Sequence, residues 1–262
     1  MKKKAPAKAP PVARHGVARV ISKLGIGSRT QAGRWVREGR VRVNGNLVSD
    51  AEFPVIQGRD LIAVDGHESA SAARLVIMLN KPRGLVTTAH DERGRDTVYT
   101  CFEGTALPWL APVGRLDRAS EGLLLFSNDP AWAARITDPA TGPEKTYHVQ
   151  VDRIPDAALL ADLERGAVVD GERLAAKTAR CIRTGARNAW LEIVLDEGRN
   201  RQIRRLLSAF QVSVLRLVRV SVGSLSLGGL PKRGWRKLTD QEIESLSGST
   251  SRQDVRYDDS QI

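Results

Sequence analysis

Two of the residue types that build disulfides and metal sites are scarce in this sequence. It contains two cysteines, Cys101 and Cys181, which lie far apart and form no CxxC pair. They imply no disulfide framework and no zinc site, which fits a reducing compartment. The four histidines, at positions 15, 67, 90 and 148, do not cluster, so a metal site built on histidine is not expected either.

Long apolar segments are also missing. Three lysines follow the first methionine, but no apolar stretch of the kind found in a signal peptide comes after them. The apolar runs further along, such as 75–79 and 123–126, are far too short to span a bilayer. We therefore predict a cytoplasmic protein that does not have a membrane as its partner.

The sequence also lacks the common signatures of cofactor-dependent and hydrolytic enzymes. It contains no P-loop, no GxGxxG, no GxSxG and no carboxylate cluster that would bind magnesium. An enzyme with this sequence would have to act through one carboxylate, with no metal and no cofactor.

What the sequence has in excess is positive charge. Its 262 residues include 41 lysines and arginines against 30 aspartates and glutamates, a formal net charge of +11. This balance favours a polyanionic partner, with nucleic acid ahead of an anionic membrane surface. The length is sufficient for one large hydrophobic core or for two smaller ones.

Composition divides the chain into five segments. Residues 1–13 are rich in lysine, alanine and proline and are predicted to be a flexible basic tail. A first folded unit follows at 14–66, and then a small polar linker at 67–73. A second and larger unit spans 74–246, and the polar residues 247–262 are predicted to be a disordered tail.

The first unit is predicted to contain two short helices and a small sheet. An apolar helical face begins at Val17, and Ser28 with Gln31 reads as a capping box that opens a second helix. Its arginines would form a compact phosphate-binding surface. The candidates for RNA contact are Arg29, Arg34, Arg37, Arg40 and Arg42.

The second unit alternates many strands with few helices. This pattern predicts an α+β fold around a large mixed or antiparallel β-sheet. Two of its strands are predicted at 74–80 and 85–88, separated by the break Lys81-Pro82-Arg83-Gly84.

Two helix starts in the second unit are marked by their caps. Asp129 caps a helix that has Pro130 in its first position. Thr239 and Glu242 form a second capping box, for a last helix that ends near residue 246.

The stretch from 112 to 126 places an ionisable pair beside a wholly apolar run. Arg115 and Asp117 are two positions apart, so they lie on the same side of an extended chain and can form an ion pair. An aspartate beside a buried strand is costly unless a cation compensates for its charge. From the spacing alone, a structural ion pair at the junction of loop and strand is the simpler interpretation.

Two further features bear on function. Tyr147 lies on the apolar face of a predicted strand, where a core aromatic residue is the simpler interpretation. The segment 197–207 holds four arginines at the start of a helix. Arg201, Arg204 and Arg205 lie on or beside its first turns, either as a solvated basic face or, for Arg204, partly buried beside the sheet.

Residues 17–66 resemble the S4 RNA-binding domain (αL motif), through Gly27-Ser28-Arg29 and Gly39-Arg40-Val41-Arg42-Val43-Asn44-Gly45. Residues from about 75 to 246 resemble a bacterial ribosomal RNA pseudouridine synthase of the RsuA/RluB family. The matching motifs are Leu79-Asn80-Lys81-Pro82-Arg83-Gly84, Gly114-Arg115-Leu116-Asp117 through Phe126, Lys145-Thr146-Tyr147 and Glu197-Gly198-Arg199-Asn200-Arg201-Gln202-Ile203-Arg204-Arg205.

The resemblance implies an α+β protein in which a small S4 domain precedes a synthase domain, built on a large mixed, mainly antiparallel β-sheet flanked by helices. It implies conversion of a ribosomal RNA uridine to pseudouridine without a cofactor, with Asp117 as the catalytic carboxylate. Arg115 and Arg204 are the cations expected to offset its burial, and Tyr147 is expected to stack on the base. The residues of this unit expected to bind RNA are Lys81, Arg199, Arg201 and Arg205.

The target and one alternative stay open. The expected partner is ribosomal RNA or a pre-ribosomal particle, and the expected oligomeric state is a monomer. A uridine of 23S rRNA is favoured over one of 16S rRNA because residues 127–151 look closer to the large-subunit members. A catalytically inactive RNA-binding or ribosome-assembly protein is the alternative, and the intact Asp117, Arg115 and Tyr147 argue against it.

Overall fold

The structure is a computed structural model that describes residues 14–57, 59–68 and 73–248. The predicted tail at 1–13, residues 69–72 of the predicted linker, and the part of the predicted tail 247–262 from 249 onward lie outside the described residues; Ser247, placed in that tail by the prediction, is the last residue of a helix. The chain divides into two units. One runs up to Arg74 and includes Ala106–Leu110; the other consists of Leu75–Thr105 and the chain from Ala111 onward.

The first unit consists of two short helices and short antiparallel strands. Helices α1 (Val17–Lys23) and α2 (Arg29–Arg37) share one apolar core with the strands. The strands are β1 (His15–Gly16), β2 (Val41–Val43), β3 (Asn46–Leu47), β4 (Pro54–Val55), β5 (Ile62–Val64) and β6 (His67–Glu68). Strands β3, β2, β5 and β6 form one sheet in that order, and β1 pairs with β4.

Both ends of α2 follow the local sequence signals. The hydroxyl of Ser28 accepts a hydrogen bond from the Gln31 backbone N–H at 3.1 Å, and the Gln31 side chain accepts one from the Ser28 N–H at 2.9 Å. This is the predicted capping box. After the helix, Gly39 adopts a φ of 71°, a left-handed conformation that glycine tolerates without strain.

The edges of this unit differ from the segment boundaries expected from composition. Strand β6 pairs with β5, so the sheet continues two residues past position 66. The segment Ala106–Leu110 also groups with the first unit, although it lies within the stretch 74–246. Its Trp109 backbone N–H donates to the Gly25 carbonyl at 2.8 Å. Composition carries no signal for such a long-range contact.

The second unit contains most of the regular structure. Its strands are β7 (Val76–Lys81), β8 (Ala111–Val113), β9 (Glu121–Ser127), β10 (Lys145–Val151), β11 (Ala167–Val169), β12 (Glu172–Leu174), β13 (Thr178–Thr184), β14 (Ala189–Leu195), β15 (Val214–Val222), β16 (Leu225–Ser226) and β17 (Trp235–Lys237). Its helices are α3 (Pro130–Thr137), α4 (Ala157–Arg165), α5 (Gln202–Ala209), α6 (Asp240–Ser247) and a 3₁₀ helix at Val98–Phe102. No helix in the described part of the chain is long and apolar enough to cross a membrane.

A nine-stranded sheet organises the second unit. Seven strands follow the order β13-β14-β10-β15-β9-β7-β17, with β8 paired to β9 and β16 paired to β15. All these pairings are antiparallel except that of β9 with β15. Together with the flanking helices, this confirms the predicted α+β fold around a mixed, mainly antiparallel sheet.

Strand β9 is buried along its whole length, because the sheet continues on both sides of it and other elements cover its faces. On one face, Leu123 and Leu125 share a core with Trp132 of α3 and Ile243 of α6. Asp129 caps α3 with Pro130 in the first helical position, as predicted. The apolar run of the sequence therefore becomes an interior strand of the sheet, and the loop that carries Asp117 leads into its buried N-terminal end.

The strand predicted at 85–88 is wrong. Within the described residues, this segment makes only an isolated bridge between Val86 and Thr97. The reason lies in its two threonines, whose hydroxyls bond to the backbone instead. Thr88 donates to the His90 carbonyl at 2.8 Å, and Thr87 bonds to the peptide of Leu116.

Strands β9 and β15 approach each other most closely at Gly122. A Cβ atom there would lie 2.2 Å from the carbonyl oxygen of Arg219, and the φ of Gly122 is 100°. We expect Gly122→Ala to lower the free energy of unfolding by about 3 kcal/mol or more. The clash of the new Cβ atom with Arg219 and the strain of an alanine at positive φ both destabilise the folded state. Gly84→Ala is the matched control, since Gly84 has a φ of 101° and open space around it. Equal losses in chemical denaturation of the two variants would show that the contact with Arg219 is unimportant.

Candidate active site

A cavity of about 790 Å³ lies within the second unit. It brings together residues from four separate parts of the chain: the loop before β9, the strands β10 and β15, and the start of α5. Six of the candidate residues named from the sequence line it, namely Arg115, Asp117, Tyr147, Arg199, Arg201 and Arg204. The cavity is therefore where the sequence motifs of this unit converge.

The loop between β8 and β9 presents Asp117 to this cavity. Gly114 turns the chain at a φ of 74°, and the Ser120 N–H donates to the Asp117 carbonyl at 2.9 Å in a tight turn. The apolar side chain of Leu116 points into the protein and is 6% exposed, whereas the Asp117 side chain is 34% exposed. The carboxylate is thus neither in open solvent nor sealed off.

Lys81 lies beneath this loop and holds its backbone. The ammonium donates to the carbonyls of Asp117 at 3.1 Å, Ser120 at 2.8 Å and Pro82 at 3.1 Å. The sequence predicts an RNA contact for Lys81, but the residue has no exposed surface, so this prediction is wrong. Burial lowers the pKa of Lys81 to about 8, because desolvation disfavours the charged amine.

Thr87 holds the same loop from the other side. Its hydroxyl donates to the Leu116 carbonyl at 2.7 Å and accepts from the Leu116 N–H at 3.4 Å. Gly84 and Arg118 also exchange hydrogen bonds, through the Gly84 N–H at 2.7 Å and the Arg118 Nε at 3.2 Å. The segment from Lys81 to Thr87 is therefore a frame for the backbone on either side of the carboxylate.

The cation that contacts the carboxylate is Arg201. Its Nη1 lies 3.5 Å from Oδ2 of Asp117. Among the described residues, Arg115 and Arg204, the cations expected to offset its burial, form no ion pair with Asp117, although Asp117 acts electrostatically on Arg204. Arg115 is exposed at the cavity wall, and Arg204 donates to the carbonyls of Ala119 at 3.2 Å and Val214 at 3.4 Å.

The start of α5 explains why Arg201 reaches this position. Arg201 is the N-cap residue and has a φ of 49°, a left-handed conformation that costs a non-glycine residue about 1 kcal/mol. The buried Gln202 fixes the preceding loop, because it donates to Glu197 at 2.9 Å and accepts from the Arg199 N–H at 3.1 Å. The sequence analysis assigns no role to Gln202 or Thr87. The only signal for Gln202 is a polar residue beside the apolar stripe of the helix.

Tyr147 belongs to the wall of the same cavity. It lies on β10, opposite Ile193 of β14 and Arg219 of β15, and is 8% exposed. Arg219 is also buried and donates from its Nε to the Leu123 carbonyl at 2.7 Å. Tyr147 therefore packs as a core residue and also lines the space that Asp117 faces.

The remaining arginines expected to bind RNA are largely engaged with neighbours in their own unit. In the second unit, Arg199 pairs with Glu197, and Arg205 is 22% exposed and bonds to Glu172, Asp170 and the Val169 carbonyl. Arg205 is therefore mainly a structural clamp. In the first unit, the contacts are Arg29 with Glu52, Arg34 with Glu38, Arg40 with Asp65 and Glu38, and Arg42 with the Gly45 carbonyl.

The described residues contain no group of three or more histidine, cysteine, aspartate or glutamate side chains placed to hold a metal ion. The cavity is instead lined by two carboxylate residues, Asp117 and Glu197, by the aromatic ring of Tyr147 and by several arginines.

Comparison with known proteins matches both units to families. The sequence model of RNA pseudouridylate synthases matches residues 75–209, and that of the S4 domain matches residues 17–60. The chain belongs to the RNA pseudouridylate synthase family. This confirms the family, the S4 domain and the enzyme class expected from the sequence motifs.

Individual relatives extend this similarity over most of the synthase. The "Ribosomal large subunit pseudouridine synthase B" of Bacillus subtilis (strain 168) is 34% identical over 87% of this chain and 93% of the relative. The protein of the same name from Escherichia coli (strain K12) is 37% identical over 84% of this chain and 78% of the relative. A solved "pseudouridylate synthase" is 30% identical, with a TM-score of 0.61 over 88% of this chain and 99% of that one.

Burial of Lys81 predicts a pH effect on stability. Between about pH 8 and the ordinary lysine pKa of 10.5, the unfolded chain binds a proton at Lys81 that the folded chain has lost. The free energy of unfolding should therefore rise with pH in this window relative to Lys81→Met, by at most about 1.4 kcal/mol per pH unit. Urea unfolding of both proteins across the window measures the difference. Parallel pH profiles would contradict the lowered pKa.

The hydrogen bonds of Thr87 predict an effect on turnover. Thr87→Val keeps the shape of the side chain but removes both bonds to Leu116, so the Asp117 loop loses one anchor. We expect kcat for pseudouridine formation to fall about tenfold or more while KM changes little. Thr87→Ser retains the hydroxyl and should restore most of kcat. If the valine variant has the wild-type kcat, or serine fails to rescue a correctly folded protein, Thr87 does not position the loop.

Proposed function

We propose that this synthase converts a specific uridine of large-subunit (23S) ribosomal RNA to pseudouridine, with Asp117 as the catalytic carboxylate and without a cofactor. The observation that carries the proposal is the convergence of Asp117, Arg201 and Tyr147 on one cavity of the second unit. The large-subunit target is supported by relatives whose printed names specify that subunit, at 34–37% identity over most of the chain.

The reaction breaks the bond between N1 of uracil and C1′ of the ribose, and forms a bond between C5 and C1′. The proton on C5 leaves, and N1, which carries no hydrogen in uridine, gains one, so the product is an isomer of the substrate. Asp117 acts on the sugar in its ionised form, either as the nucleophile at C1′ or as a base. The guanidinium of Arg201 lies 3.5 Å from this carboxylate. Arg115 and Arg204 add positive charge to the same cavity without contacting the carboxylate.

Tyr147 is placed to contact the detached base. Its ring forms part of the wall opposite the Asp117 loop, where it can stack on uracil while the base rotates. The strands on either side of Tyr147 fix the ring, so the space for rotation is bounded by a rigid sheet. Its hydroxyl is the group available to assist removal of the C5 proton.

The uridine must leave its stack to enter the cavity, at a cost of about a few kcal/mol. Binding through phosphates offsets this cost, and the net charge of +11 and the S4 domain support RNA as the partner. We infer that the remaining candidate cations, Arg29, Arg34, Arg37, Arg40, Arg42 and Arg199, contribute to this binding. We also infer that the protein acts as a monomer in the cytoplasm, on ribosomal RNA or a pre-ribosomal particle.

The role of Asp117 is tested by substitution. Asp117→Asn and Asp117→Ala should abolish pseudouridine formation in a 23S rRNA transcript, because neither side chain carries the charge that the sugar reaction needs. RNA affinity should change little, since one carboxylate among many cations contributes little to binding phosphates. Retained turnover in Asp117→Asn would refute the assignment. Loss of RNA binding together with loss of activity would indicate a folding defect instead.

The target is tested by mapping pseudouridine chemically in ribosomal RNA from a deletion strain. One 23S signal should disappear and return when the wild-type gene, but not Asp117→Asn, is restored. Loss of a 16S signal alone would assign the other subunit. An unchanged map in both RNAs would leave an RNA-binding or ribosome-assembly protein without synthase activity.

A further inference from the structure

A second, smaller cavity lies behind the active site. It has a volume of about 320 Å³ and occupies the space between α5 and the start of β15. Its lining residues are Arg201, Arg204, Ser208, Gln211, Val212, Ser213 and Val214. Arg201 and Arg204 also line the cavity that holds Asp117, so the two cavities share these arginines as a common wall.

Positive charge is in excess around this shared wall. Burial lowers the pKa of Arg204, and the like charges of Arg201 and Arg83 lower it further. Asp117 raises the pKa of Arg204, but it is a single carboxylate near three arginines, Arg83, Arg201 and Arg204 itself. The Nε of Arg204 is buried and has no hydrogen-bond partner among the described residues. An anion bound beside this wall would therefore reduce the repulsion between these arginine side chains.

The lining favours a phosphate group over a base. Guanidinium groups bind phosphate oxygens with charge-assisted hydrogen bonds, and the hydroxyl of Ser208 and the amide of Gln211 add neutral donors. The lining contains no aromatic side chain on which a nucleobase would stack. Asp152 does not itself line the cavity, but its carboxylate accepts hydrogen bonds from Ser213, which does, so one negative charge lies beside the lining.

We propose that the smaller cavity binds a backbone phosphate of the RNA substrate, one belonging to a nucleotide next to the uridine in the active site. The proposal rests on the proposed function, because it takes the occupant of the large cavity to be a uridine within an RNA chain. The inference depends on the wall that the two cavities share. Because they are adjacent, an RNA strand whose uridine enters the large cavity would continue past the smaller one.

This arrangement links RNA binding to the charge at Asp117. The contact between Arg201 and Asp117 is long, at 3.5 Å, and the Arg201 side chain is 51% exposed. Arg201 can therefore turn towards a phosphate in the smaller cavity without a rearrangement of the core. A bound phosphate and the Asp117 carboxylate would both interact with the guanidinium of Arg201. Occupancy of the smaller cavity therefore changes the electrostatic environment of Asp117.

The test adds a negative charge inside the smaller cavity and compares it with the same charge beside it. Ser208→Glu places a carboxylate among the lining residues, whereas Ala209→Glu, the next residue on α5, places it outside the cavity. Both wild-type residues are exposed, so both variants should fold, as thermal unfolding will check. Affinity for an unmodified 23S rRNA transcript is measured over a range of salt concentrations.

We expect Ser208→Glu to bind the transcript about tenfold more weakly and with a salt slope shallower by roughly 0.7–0.9, the value for one lost phosphate contact. Ala209→Glu should keep the wild-type slope. Gln211→Glu is a second variant that should behave like Ser208→Glu. If the cavity and control variants have the same affinity and slope, the proposal is overturned.

Two further outcomes separate this proposal from its alternatives. If inorganic phosphate inhibits the wild type but not Ser208→Glu, while both bind the transcript with the same salt slope, the cavity takes a free anion and the RNA assignment is wrong. If the wild type forms no pseudouridine in the transcript, the proposed function fails. In that case the binding comparison still decides whether the cavity contacts an RNA phosphate.

Discussion

The loop that carries Asp117 depends on an ammonium group buried directly beneath its backbone. Removing Lys81 from water is costly, and the pKa of about 8 reflects this cost. Three carbonyls, two of them from the loop, surround the ammonium and offset part of it. Without these carbonyls, the buried ammonium of Lys81 would have no hydrogen-bond partner, which is costly. The loop conformation that surrounds Lys81 with carbonyls is therefore favoured over others. The Asp117 side chain is then directed to the opposite side, into the cavity.

Rigid and adjustable elements meet at the carboxylate. Lys81 and Thr87 fix the backbone of the loop through short hydrogen bonds to its carbonyls. Arg201, in contrast, makes one long contact with the carboxylate from a half-exposed side chain. A site built in this way holds the backbone of Asp117 firmly and leaves the Arg201 side chain less constrained. This division suits a reaction in which the base must detach, rotate and rejoin within one cavity.

Features set by neighbouring residues could be predicted from the sequence, whereas pairings across the chain could not. The caps of α2, α3 and α6 follow from Ser28 with Gln31, Asp129 with Pro130, and Thr239 with Glu242, because each cap is complete within four residues. Lys81 bonds to a carbonyl 36 positions away and Arg201 to a carboxylate 84 positions away. Sequence motifs located the cavity correctly, yet burial reversed the role of Lys81 and loop geometry selected Arg201 over Arg115 and Arg204.

The single parallel pairing in the large sheet has a consequence for synthesis of the protein. Strand β9 can associate with β7 as soon as residue 127 is available, which fixes the floor of the Asp117 loop early. The opposite wall is contributed by α5 and β15, which are translated later, and β15 meets β9 at Val218 and Arg219. A nascent chain therefore carries Asp117 for some time before Arg201, Arg204 and strand β15 are translated. Competence to modify RNA is acquired only as the last third of the polypeptide leaves the ribosome.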